Sequence, residues 1–164
     1  MIRTDRARIR PTRGERLRIL ALVLAALVGA VLCLASVGAL DPGRAGPAGP
    51  GPALWRLMAG ALGTFVALRF NLGRFGWPRL RGWARMAGGV LLVTLFAPVV
   101  AGTLVLPLYG TMFGPLALVL TLIRRPALAL LWFGVLVAAH LLLQDYRRER
   151  DTIFFAPAAR AGRR

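Results

Sequence analysis

Apolar and charged positions alternate along this chain in long blocks. Leu17 to Leu40 has no charge between Arg18 and Asp41, and Ala53 to Phe70 has an uncharged centre from Leu57 to Leu68. Met86 to Leu106 and Ala127 to Leu143 are two further apolar blocks. About 20 apolar residues cross a hydrocarbon layer of roughly 30 Å. The blocks therefore predict membrane-spanning helices at about 17–40, 53–70, 86–106 and 127–143. A signal peptide is the competing reading of the first block, because Val37-Gly38-Ala39 resembles a small-residue cleavage site. The block exceeds the roughly 7–15 residues of a signal core, so it is taken as an uncleaved span.

Between the blocks lie the helix breakers. Asp41 to Pro52 (DPGRAGPAGPGP) is a Pro/Gly linker; its glycines at a spacing of three are too short a run for a collagen helix. Pro98 predicts a kink in the third span, with Thr94 able to cover the freed carbonyl region. Gly110, Gly114 and Pro115 predict a break after it. Leu116 to Ile123 then amounts to roughly 12 Å of helix, too short to cross. The expected fold is an all-α integral membrane protein. It is a small bundle of four transmembrane helices plus a re-entrant or interfacial half-helix at Thr111–Ile123. Residues 17–144 form its single transmembrane domain, between basic cytoplasmic tails at 1–16 and 145–164.

Composition agrees with the blocks. The chain has 164 residues, 57% hydrophobic, with a mean hydropathy of +0.65. That leaves too few polar residues to cover a soluble core of this size. Charged residues make up 17%, against roughly 25% in soluble proteins. A soluble enzyme, an ordinary nucleic-acid module and a disordered tail are excluded. The net charge is nevertheless +16, and all 22 basic residues are arginine. With the abundant Ala, Leu, Gly and Pro, this suggests GC-rich bacterial coding.

Arginine placement orients the chain, because cytoplasmic flanks carry the positive excess. Four spans put 18 of the 22 arginines inside, leaving Arg44, Arg124 and Arg125 outside and Arg56 at the border. Forcing Leu116–Ile123 across the bilayer lowers the balance to 14 inside against seven outside. The four-span arrangement in a bacterial inner membrane, both termini cytoplasmic, is preferred.

Small residues recur every four positions: Ala21, Ala25, Gly29 and Cys33; Ala59, Gly63 and Ala67; Ala97 and Ala101. Such stripes let helix backbones approach in lipid, within the molecule by default or against a partner helix.

Reactive chemistry is sparse. One His, one Cys and one Ser (Ser36) are present, and Asp5, Glu15, Asp41, Asp145, Glu149 and Asp151 all lie in tails or linkers. Paired carboxylates, a nucleophilic triad and a metal cluster are therefore not expected, nor is a cofactor or enzymatic activity. His140 is the one ionisable residue well inside a span, a weak candidate to ligate haem or chlorophyll. Leu136 one turn away is bulky, and Gln144 and Asp145 lie close by, which favours a hydrogen-bonded interfacial imidazole.

The basic-aromatic loop holds Arg69, Arg74, Trp77, Arg79, Arg81, Trp83 and Arg85. Stacking on nucleic acid is conceivable for such a composition. Between two spans it reads instead as contact with anionic lipid headgroups or a partner protein. Ile153, Phe154 and Phe155 form an apolar patch in the tail, which folds back on the bilayer or docks on a subunit. The broken segment 106–126, with Tyr109, Gly110, Thr111 and Gly114, is the one place for a translocation or re-entrant site. The expected function is a non-catalytic accessory or assembly subunit of a bacterial membrane complex. Its partners are the anionic bilayer and other membrane subunits, with no nucleic acid. The alternative is a small transporter or channel centred on 106–126.

Overall fold

The computed structural model describes residues 12–40 and 50–155; side chains of 37–40 and 153–155 are not described. Every element among these residues is helical: α1 (Arg13–Leu40), α2 (Pro50–Asn71), α3 (Arg79–Val105), α4 (Tyr109–Arg124) and α5 (Pro126–Phe155), with a 3-10 turn at Leu72–Arg74. Four of them, α1, α2, α3 and α5, are long and apolar enough to cross a membrane.

The helices extend beyond the apolar blocks for identifiable reasons. Thr12 and Glu15 form a reciprocal cap, Thr12 Oγ1 accepting from the Glu15 amide at 3.2 Å and Glu15 Oε2 from the Thr12 amide at 3.1 Å. This T-x-x-E box starts α1 a turn before Leu17. Proline opens α2 and α5, where a missing N–H is harmless; Pro50 to Pro52 thus belong to α2 and not to the linker. The remaining linker, 41–49, lies outside the described residues. Helix α3 starts at Arg79, seven residues before the expected Met86.

The largest departure lies between α3 and α4. The break falls at Leu106–Leu108, and α4 runs unbroken through Gly114 and Pro115. Leu108 makes a γ-turn at φ 70 and ψ −63, closed by the Tyr109 amide on the Pro107 carbonyl at 3.0 Å. With 16 residues, two more before the expected Thr111–Ile123 half-helix and one after it, α4 reaches about 24 Å. Thr94 also takes a different role from the one expected: its hydroxyl accepts the Trp132 indole N–H at 3.0 Å.

The small-residue stripes are consumed inside the bundle. Ala21 and Ala25 are fully buried, Gly29 lies against Thr64 and Gly60, and Gly60 lies against Cys33. Gly63 abuts the Ala97 carbonyl and Ala101. These contacts join α1 to α2 and α2 to α3, while α5 packs chiefly on α1. Direct contact between α3 and α5 is slight, and that seam is closed differently. Its far end is filled by α4, which touches α3, α1 and α5. Its other end is filled by the residues just after α2, where Phe75 is fully buried against Gly89. The two bulkiest fully buried side chains, Trp132 and Phe75, come from α5 and this turn, and Leu136 and His140 of α5 are fully buried as well.

Helix polarity follows from the contacts. The start of α1, the turn after α2, the start of α3 and the end of α5 share one end, where Tyr146 meets Gly14 and Leu143 meets Gly76. Trp55 donates to the Leu104 carbonyl at 3.0 Å at the opposite end. From Leu143 back to Pro126 is about 25 Å of helix, so α5 begins at that opposite end, where α3 finishes. Helix α4 therefore leaves and returns at one end of the bundle.

Gly102 and Gly110 meet backbone to backbone, so that a Cβ on either would collide with the other's carbonyl. Gly110→Val is expected to destabilise the bundle by about 1–3 kcal/mol. Gly134 faces open space, and Gly134→Ala should be neutral or stabilising by at most about 1 kcal/mol. Thermal unfolding in detergent compares the two; equal midpoints would show that the α3–α4 crossing is not tightly packed.

Candidate functional site

The residues with polar chemistry converge at the end of the bundle where α1 starts. The chain reverses there between α2 and α3, and the reversal is pinned to α5. Gly76 adopts φ 79, which a glycine tolerates without strain. A Cβ at this position would lie 2.7 Å from the Leu143 carbonyl oxygen. The close approach lets the Gly76 amide donate to Nδ1 of His140 at 3.1 Å.

That hydrogen bond fixes the chemistry of the imidazole. A backbone N–H only donates, so Nδ1 is the bare nitrogen and the neutral ring carries its proton on Nε2. Nε2 is buried with no hydrogen-bond partner among the described residues. The Trp83 ring lies 5.2 Å away, tilted by 46°, and Phe75 lies at 6.4 Å. A protonated Nε2 offers no lone pair to haem iron or chlorophyll magnesium, the mode in which histidine ligates them. Here His140 acts as an acceptor that holds the interhelical turn on α5.

Beside this joint, Trp77 forms a second focus. Its indole N–H donates to the Gly73 carbonyl at 2.8 Å. Two guanidinium groups lie over the ring, Arg147 with Cζ 4.6 Å and Arg85 with Cζ 5.0 Å from the centroid. Arg147 also reaches the Leu72 and Gly73 carbonyls, both at 3.4 Å, sharing them with the Phe75 amide and the Trp77 indole. Among the described residues neither arginine is in an ion pair. Asp145 is 3.9 Å from Arg148, and Asp151 is 3.6 Å from Arg150.

Comparison with protein-family models, with curated proteins and with solved structures finds no match to this chain. The site is therefore read from its own geometry.

Of the basic-aromatic residues singled out in the sequence, the structure unites Trp77 and Arg85 and places Trp83 over His140. Arg69, Arg74, Arg79 and Arg81 are exposed, with Arg79 at φ 69. Sequence reasoning missed Arg147. It belongs to the helix tail, and only the pairing of α5 with the turn brings it to Trp77. It also missed Gly76, whose one signal was a glycine next to a tryptophan and a proline. No group of three or more His, Cys, Asp or Glu side chains that could hold a metal is found among the described residues.

In the segment 106–126, Leu106–Tyr109 are exposed and the two glycines are half-buried contact points for α3. Gly110 packs on Gly102, and Gly114 on the Pro98 carbonyl. The hydroxyl of Thr111 pairs with Thr103 at 2.8 Å. Tyr109 is exposed and stacks on Phe113 at 6.4 Å. The side chains of the tail patch Ile153–Phe155 lie outside the description.

Removing the imidazole in His140→Ala leaves the Gly76 amide without its partner and opens a void. A loss of about 2–4 kcal/mol follows. Gly76→Ala is expected to cost about 1–3 kcal/mol through its backbone and the Leu143 carbonyl. Limited proteolysis at Arg74, Arg79 and Arg81 should accelerate in both variants. Unchanged cleavage and unchanged melting would show that the bond does not hold the turn.

Proposed function

We propose that this protein is a small four-span constituent of a bacterial inner membrane, with no catalysis of its own, acting as an accessory or assembly subunit of a larger membrane complex. The observation that carries the membrane reading is the sorting of charge along the bundle. Arg13, Arg16, Arg18, Arg69, Arg74, Arg79, Arg81, Arg85, Arg147, Arg148 and Arg150 all belong to turns at one end. The long helices between the ends carry their apolar side chains outward, among them Ile19, Leu27, Leu62, Leu91, Leu95 and Leu130. A bilayer covers such a surface and takes the arginine-rich end toward anionic headgroups on the cytoplasmic side.

In this reading α4 is a re-entrant or interfacial helix, since it departs from and returns to the arginine-poor end. Retention of α1 as an uncleaved span is supported by Ala21, Ala25 and Leu32, which it contributes to the core. The small-residue stripes are already occupied within the molecule and so do not serve a partner. Contact with other subunits falls instead to the outward leucine and phenylalanine faces and to the basic-aromatic end.

Two measurements test this. Arg148→Cys in a Cys33→Ala background, probed with an impermeant thiol reagent, is expected to react only after the cytoplasmic face is opened. Labelling of intact cells would overturn the orientation. Mild extraction followed by native electrophoresis and mass spectrometry should find the chain in an assembly with other membrane proteins. Migration as a solitary monomer would sink the subunit role.

A further inference from the structure

We infer that the Arg85–Trp77–Arg147 cluster is a discrete binding site for the phosphate of one anionic phospholipid; this rests on the membrane reading above. The argument starts from charge. The two guanidinium carbons lie 5.0 and 4.6 Å from one indole centroid, so they are less than 10 Å apart whichever faces they occupy. Neither has an acidic partner within ion-pair distance among the described residues.

The indole and the carbonyls of Leu72 and Gly73 offset part of this charge. Ring quadrupoles and carbonyl dipoles hold a cation in place without cancelling it. Near a low-dielectric layer, two like charges at this separation repel. An anion at the cluster relieves that repulsion. Arginine forks match phosphate oxygens geometrically, and Arg147 uses only one terminal nitrogen on the carbonyls.

The surroundings identify what carries the phosphate. An apolar track on α3 begins one helical turn after Arg85 and leads away from the arginine-rich end. It runs through Gly88, Leu92 and Phe96, in line with Arg85 at spacings of three and four. Leu92 is half-buried and Phe96 is 53% exposed. A cationic cradle continuous with an apolar track suits a ligand with an anionic head and hydrocarbon tails. Inorganic phosphate or a nucleotide would use the cradle and leave the track uncovered.

The test is native mass spectrometry of the full chain reconstituted in nanodiscs of mixed phosphatidylglycerol and phosphatidylcholine. One phosphatidylglycerol per chain is expected to survive activation that strips phosphatidylcholine. Losing two charge-assisted contacts in Arg85→Gln/Arg147→Gln should reduce that retention by about tenfold or more. Arg124→Gln/Arg125→Gln, altered at the opposite end, should retain the lipid. Arg85→Gln alone, which leaves the Arg147 carbonyl contacts intact, should show a partial loss and guards against misfolding of the double variant.

Equal retention by the double variant would overturn the site. Millimolar inorganic phosphate in pure phosphatidylcholine discs is the competing arm. Protection there equal to that from phosphatidylglycerol would assign the cradle to free phosphate and overturn the lipid assignment. Resistance to alkaline carbonate extraction is scored separately. A chain that inserts normally but ignores phosphatidylglycerol loses the site alone, while a chain released by carbonate loses the membrane reading as well.

Discussion

Helix-to-helix distance governs this bundle. In apolar surroundings one leucine packed on another gains little over a leucine packed on lipid, so association depends on close backbone contact and on hydrogen bonds. The chain meets that constraint in two opposite ways. Where α1 meets α2 and α2 meets α3, alanine and glycine face one another and the backbones approach directly. Where α3 faces α5, the gap is filled by Trp132, Phe75, Leu136 and His140, with α4 inserted at one end and the Gly76 turn at the other. The hydrogen bonds from Trp132 to Thr94 and from Gly76 to His140 bridge this gap.

The same seam explains why the arginine-rich end is ordered in spite of its charge. Arg147 is held by two carbonyls of the turn after α2, and Arg18 lies over the Tyr146 ring at 5.9 Å. Acidic residues play a minor part: the Arg148–Asp145 and Arg150–Asp151 pairs are exposed and each contributes well under about 1 kcal/mol. Aromatic faces and backbone dipoles organise the cations here, which leaves their net charge directed at whatever lies outside the bundle.

Four long helices were legible in the sequence because uncharged length is a direct physical requirement for crossing hydrocarbon. Their ends were less so. The Thr12–Glu15 box was readable and would have started α1 at Arg13, whereas the early start of α3 was masked by arginines on an exposed helical face. The break at Leu106–Leu108 was misplaced because glycine and proline were taken as helix breakers. In this setting Gly114 is a contact point for α3, and Pro115 sits within a helix whose neighbours shelter its backbone. Trp77 and Arg85 stood out by composition. Arg147 and the pairing of His140 with Gly76 did not, since both depend on a contact between segments more than 60 residues apart.

Helix α4 is tied to α3 by three residues and to α5 by Arg125 alone. Connectors this short, at about 3.5 Å per residue, give its ends almost no slack. It therefore works as a spacer of fixed length, about 24 Å, between the exit of α3 and the entry of α5. That span is what carries the chain far enough for α5 to settle against α1 and not beside α3. Shortening or lengthening α4 by one residue would turn α5 by about 100° about its axis and carry Trp132, Leu136 and His140 off the seam together. The register of a helix at one end of the molecule thus decides whether the polar joint at the other end can close.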